Sequence, residues 1–119
     1  MKYRFYMRLN IPGGNSVKVG NIHEIQWDTR DLIKASSGWM IINQEKAADA
    51  SDLIPKLHKG ILELKNSSEA YFKYELNHGF GTIKNTLAFY EDLLQDCKQY
   101  PFAELCGIVA SWTKKYHKK

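Results

Sequence analysis

Cysteines and long apolar runs are both scarce in this chain, and each scarcity removes a class of protein. Two cysteines among 119 residues, Cys97 and Cys106, are too few for a disulfide framework. Both fall on apolar-patterned positions, which points to buried, reduced thiols and a cytoplasmic setting. No stretch approaches 18 consecutive apolar residues, so no segment reads as a membrane span. The opening "MKYRFYMRLNIPGG" is interrupted by Arg4 and Arg8, so it reads as a strand and not as a signal peptide. There is no internal repeat and no low-complexity segment. The four histidines, His23, His58, His78 and His117, form no H-x-x-x-H pair and no zinc-finger spacing with cysteine, so no metal and no cofactor is expected.

The body of the chain also lacks net charge. The formal total is +4, but Lys114, Lys115, Lys118 and Lys119 sit in the closing "KKYHKK". Without those four lysines, residues 1–113 carry 13 basic and 13 acidic groups. The chain therefore divides into one domain, 1–113, and a basic tail, 114–119. A nucleic-acid binder usually carries its basic stripe on the fold itself, whereas a short lysine tail is usually a solubilising end. What remains is ordinary globular material, 44% hydrophobic and 25% charged, long enough to bury a core without staples.

Residues 2–11, "KYRFYMRLNI", alternate. Tyr3, Phe5, Met7, Leu9 and Ile11 share one face, and Arg4, Tyr6 and Arg8 the other, which is the period of a half-buried strand. "PGGN" makes a turn. "SVKVGNIHEIQW" is a second β-rich region, broken at Gly20–Asn21. "DTRDLIKASSG" predicts a short helix with Asp28 or Thr29 as cap and Gly38 as stop. "WMIIN" reads as a short strand and "QEKAADA" as a loop or helix entrance.

From Ser51 to Lys65 the positions Leu53, Leu57, Ile61 and Leu64 are helical in spacing, with Ser51 or Asp52 as cap and Pro55 in the first turn. Gly60 in mid-helix predicts a close approach by another element. "EAYFKYEL" alternates again and reads as a strand, which sets Lys73 on the open sheet face. A helix over 82–99 carries the stripe Ile83, Leu87, Tyr90, Leu94 and Cys97, widened by Phe89 and Leu93, and stops at Pro101. "AELCGIVASW" reads as a final strand. The expected fold is α+β: a mainly antiparallel sheet of four or five strands with two principal helices packed on one face.

Candidate chemistry is thin. "HGFGT" before a helix outlines an anion site, because helix N-termini present free N–H groups. It lacks the full glycine fingerprint of a nucleotide loop, and Gly79 and Gly81 also suit a plain turn. His78 is the best acid/base candidate, with Glu75 three residues earlier. The cysteines read as inert, and there is no G-x-S-x-G elbow, so no catalytic residue is assigned and the chain reads as a non-enzyme. Arg4, Tyr6 and Arg8 form the strongest binding face, either for a protein or, as an alternative, for RNA or DNA. Glu91 and Asp92 read as charged rim groups.

Taken together, "GWMIIN", "HGFGTIKNTLAFYEDLL" and the closing "IVASW" resemble the small immunity proteins of bacterial polymorphic toxin systems, including contact-dependent growth inhibition. The resemblance spans Gly38 to Trp112. It implies a non-enzymatic cytoplasmic protein that binds and occludes one cognate toxin. Inhibitors of nucleases in such systems are often acidic. This body is neutral with a basic tail, so the toxin need not be a basic nuclease.

Overall fold

The computed structural model describes residues 2–41, 46–79 and 81–109. Within them the chain forms an α+β fold. A four-stranded antiparallel sheet is built from β1 (Lys2–Asn10), β2 (Ser16–Gln26), β3 (Lys46–Asp49) and β4 (Glu104–Val109). Four α-helices accompany it: α1 (Arg30–Ser37), α2 (Ala50–Asn66), α3 (Phe72–His78) and α4 (Thr82–Gln99). The strand order is β2-β1-β4-β3, so the N-terminal strand lies inside the sheet and β2 and β3 form its edges.

The alternation along β1 decides which side of the sheet the helices cover. Tyr3, Phe5 and Met7 are at most 2% exposed and join one core with Ile25, Leu105 and the helical residues Leu32, Leu53, Leu57, Tyr90 and Leu93. Each fully buried side chain of this size contributes about 1.5–3 kcal/mol. Phe5 makes tilted ring contacts with Trp39 and Phe89, at centroid distances of 5.5 and 6.0 Å, which fastens the sheet to α4 and to the segment after α1.

The helical layer is held by α2 against α4. Gly60 is buried where the Tyr90 ring crosses it, and a Cβ at that position would lie 2.5 Å from Tyr90 Cε2. Tyr90 cannot move aside easily. Its hydroxyl is 2.6 Å from Ser36 Oγ and 3.3 Å from the Ile33 carbonyl, which tie it to α1. The close approach expected at this glycine is therefore present. Gly38 ends α1 in the left-handed conformation, as its position after "KASS" predicts.

Several expectations are corrected. "EAYFKYEL" is not a strand: Ser68–Tyr71 is a 3-10 turn and α3 follows it. Tyr71, Tyr74 and His78 fall at helical spacing and stack on one another, at 6.5 and 6.4 Å. That contact line outweighs the period-two pattern. The Tyr71 hydroxyl donates to Glu63 at 2.6 Å, fixing the turn to α2. The third strand is Lys46–Asp49, read from sequence as a loop or helix entrance, while Trp39–Ile41 of "WMIIN" has no regular structure and the rest of that stretch lies outside the described residues. The last strand is described as far as Val109, so Trp112 and the lysine tail also lie outside. Pro55 is inside α2, at its sixth residue, and not in the first turn. Asp49 takes the N-cap position of α2 in place of Ser51 or Asp52, and Gly81 that of α4.

Gly60→Ala tests this packing. Helix propensity favours alanine by about 1 kcal/mol, whereas forcing a methyl into a filled core costs about 1–3 kcal/mol. The second effect is expected to win, lowering the chemical-denaturation midpoint. A raised midpoint would show that Tyr90 yields.

Candidate interaction surfaces

The uncovered face of the sheet carries Arg4, Tyr6 and Arg8, as the strand parity predicts. The register gives each a neighbour. Arg4 pairs across to Glu24, and its Nε donates to Glu24 Oε2 at 2.7 Å. Arg8 pairs across to Glu104 and donates to Oε1 at 3.1 Å. Glu104 also accepts from Asn10 Nδ2 at 3.0 Å and from Lys46 Nζ at 3.2 Å, and Lys46 reaches Asp49 at 3.1 Å. Lys18 Nζ lies over the Tyr6 ring, 4.8 Å from its centroid. The face is thus a ladder of shared charges, and carries less free positive charge than the strand sequence alone implies.

The remaining predicted partner-binding residues are elsewhere. Lys73 belongs to α3 on the helical side, its ammonium 5.4 Å from the Tyr74 ring centroid, so the strand reading that set it beside Arg4 is corrected. Glu91 and Asp92 are exposed on α4, and Glu91 pairs with Lys65 of α2 at 3.1 Å. The six residues therefore occupy two opposite faces and cannot all belong to one flat interface. Between the 3-10 turn, α3 and α4 lies an apolar groove of ≈ 570 Å³ lined by Phe72, Ile83 and Leu87, with Glu69 and Lys84 at its rim.

The "HGFGT" turn is occupied by the protein itself. Glu75 accepts from the backbone N–H groups of Gly81 at 3.4 Å and Ile83 at 3.2 Å, placing a carboxylate on the N-terminus of α4. Gly79 and Gly81 hold φ of 104° and 89°, which other residues adopt only with strain. Thr82 is the first helical residue, and its hydroxyl donates back to the Gly79 carbonyl at 2.7 Å. Glu75 is thereby directed away from His78, whose Nδ1 is 3.7 Å from Asp28 Oδ2. The Glu75–His78 pairing that acid/base work would need is not formed.

A buried polar pair went unnoticed in the sequence. His23 of β2 and Asp96 of α4 are 6% and 5% exposed, with His23 Nε2 2.6 Å from Asp96 Oδ2. The same oxygen accepts the Asn21 N–H at 2.8 Å. The signal was present: His23 shares strand parity with Ile25, and Asp96 lies three residues after Leu93 and beside Cys97 on the buried stripe. Cys97 is fully buried, and burial, with the Asp96 charge as a second cause, pushes its thiol up to about 12. Among the described residues, no group of three or more His, Cys, Asp or Glu is placed to hold a metal ion. Among the same residues, no helix is long and apolar enough to cross a membrane.

Comparison of the chain with protein families, with curated proteins and with solved structures finds no match.

Two measurements follow from these environments. Cys97 is expected to resist alkylation in the folded protein near neutral pH and to react promptly in denaturant, because only the thiolate is nucleophilic. Rapid modification of native Cys97 would contradict its placement. Asn10, then Lys46 and Arg8, hold the Glu104 carboxyl below its ordinary value of 4.5. The unfolded chain lacks these partners and takes up protons first. The stabilisation is therefore present above 4.5 and is lost as the pH falls through the lower folded value. As the pH falls through 4.5 and below, wild type is expected to lose more stability than Glu104→Gln. Parallel pH profiles would remove the assignment.

Proposed function

We propose that this protein is a non-enzymatic protein-binding module, an immunity protein that neutralises a cognate toxin in the cytoplasm by binding and covering it. The observation that carries this reading is the placement of its large apolar side chains. Phe102 is 92% exposed at the turn into β4. Asn10 pairs with Ser16 and donates to Glu104, two residues after Phe102, at 3.0 Å, so Ile11 and Val17, also exposed, share that end of the sheet. A phenyl ring held in water forgoes about 2 kcal/mol of burial, a cost that a partner can recover. Aromatic anchors of this kind concentrate binding energy at interfaces.

The polar groups support the same reading. Glu75 is committed to a helix terminus, Asp96 and His23 to each other, and Tyr90 to α1. Arg4, Arg8 and Lys46 share their charge with carboxylates, which favours a protein partner over a phosphate backbone. The partner's working surface would be covered by an interface of about 1,200–2,000 Å² in total.

The test is to read the open reading frames beside this gene for a secreted protein with a C-terminal toxin domain, and to co-express that domain with this protein. A stable complex and loss of toxicity are expected. Phe102→Ala is expected to weaken binding about tenfold or more while leaving the folding midpoint unchanged. Failure to form any complex with that domain would end the immunity reading. Full affinity in Phe102→Ala would move the interface away from this end of the sheet.

A further inference from the structure

The two halves of the β1–β2 ladder are out of step. From Lys2↔Gln26 to Phe5↔His23 the pairing runs in one register, and from Met7↔Val19 to Asn10↔Ser16 in another. Between them Tyr6 alone faces Gly20, Asn21 and Ile22, so β2 carries two extra residues in a bulge. A slip of one residue would turn every side chain to the wrong face, but a slip of two does not. Continuing the first register straight through would pair Leu9 with Val19 and Ile11 with Val17, all still on the helix-facing side. Hydrophobic alternation does not choose between them. The hairpin loop favours the observed register, closing it with the Ile11 N–H on the Asn15 carbonyl at 2.8 Å and the Gly14 N–H on the Ile11 carbonyl at 3.2 Å.

At the bulge itself the same register is held by α4. Asp96 Oδ2 accepts the Asn21 N–H from the middle of the bulge, at 2.8 Å, and meets His23 Nε2 just after it, at 2.6 Å. Gly20 supplies the φ of +70° that starts the bulge, and a Cβ there would come 2.7 Å from Asp96 Oδ2. In the straight register the buried carboxylate would keep only His23. A buried polar group that loses a partner is strongly disfavoured, whereas the straight register would gain continuous pairing and bring two exposed side chains, Ile11 and Val17, together.

We propose that Asp96, with His23, is a register lock that holds the edge hairpin out of an alternative, in-phase pairing two residues away. The lock has a consequence for the surface. β2 is an edge of the sheet, and 11 residues of unbroken edge would be a template for pairing with another strand. The bulge divides that edge into two short pieces and fixes the positions of Ile11 and Val17 at the hairpin end.

Cross-strand proton contacts measured by NMR distinguish the registers. Wild type is expected to show Leu9–Val17 and Met7–Val19 contacts. Asp96→Ala and, separately, Gly20→Val are expected to lose these and show Leu9–Val19 and Ile11–Val17 contacts. A folded variant of either kind that keeps the wild-type contacts overturns the proposal. If both variants fail to fold, hydrogen exchange in wild type decides. The Asn21 amide is expected to exchange as slowly as the core amides of β1, and exchange as fast as that of Gly13 in the hairpin loop overturns the lock.

Discussion

The alternation of β1 creates the interaction on which the rest of the molecule depends: Phe5, flanked by Tyr3 and Met7, pressed against Trp39 and Phe89. Because β1 lies inside the sheet, its odd-numbered side chains define the covered face for both neighbours. Ile25 and Leu105 are buried because their strands are registered against it. Gly107 faces Phe5, and a Cβ there would meet the ring at 2.8 Å, so the ring also governs which residue β4 can carry at that level. The helices then have one surface to cover, and Tyr90 over Gly60 sets how closely α2 and α4 share it.

The polar groups that sequence and burial single out are directed inward or towards each other. A helix N-terminus is a ready anion site, but α4 fills its own with Glu75 from the preceding helix. A buried histidine beside a carboxylate is half of a catalytic arrangement, but Asp96 also spends its charge-bearing oxygen on a backbone amide of the edge strand. These groups position backbone, and among the exposed apolar features left to meet another molecule are Phe102, Ile11 and Val17 at one end of the sheet and the Phe72–Leu87 groove on the helical side.

Much of this was legible in the sequence where one periodicity ran unopposed. β1 and α4 follow from their spacing, and Gly60 announces its close contact because a glycine in mid-helix needs a reason. The reading failed where two periods coexist. In "EAYFKYEL" the alternating aromatics suit a strand, yet Tyr71, Tyr74 and His78 also make a helical line, and that line is the one realised, with Tyr71 also bonded to Glu63 of α2. It failed again at Lys46–Asp49, where a short edge strand of small and charged residues carries no hydrophobic pattern and exists because β4 offers it a ladder. Strand parity and the helical stripe mark His23 and Asp96 each as buried, but the two are 73 residues apart, so local pattern does not show that they pair.

The placement of the binding residues follows from the same division into two faces. Arg4, Tyr6 and Arg8 sit at the middle of the sheet, while Lys73, Glu91 and Asp92 sit on the helices behind it. A single partner engaging both would have to wrap around an edge. The end bearing Phe102 imposes no such demand: it adjoins the Arg8–Glu104–Lys46 cluster on the open face and the hairpin end carrying Ile11 and Val17. An apolar centre with a charged rim on one side is the arrangement expected of an interface whose core excludes water while its margin sets orientation. The hairpin can serve as part of such a surface only if its register is single-valued, since a two-residue slip would move Val17 from beside Leu9 to beside Ile11. The buried Asp96 that holds the bulge in place is thus linked, through the β1–β2 ladder, to the shape presented at the far end of the sheet.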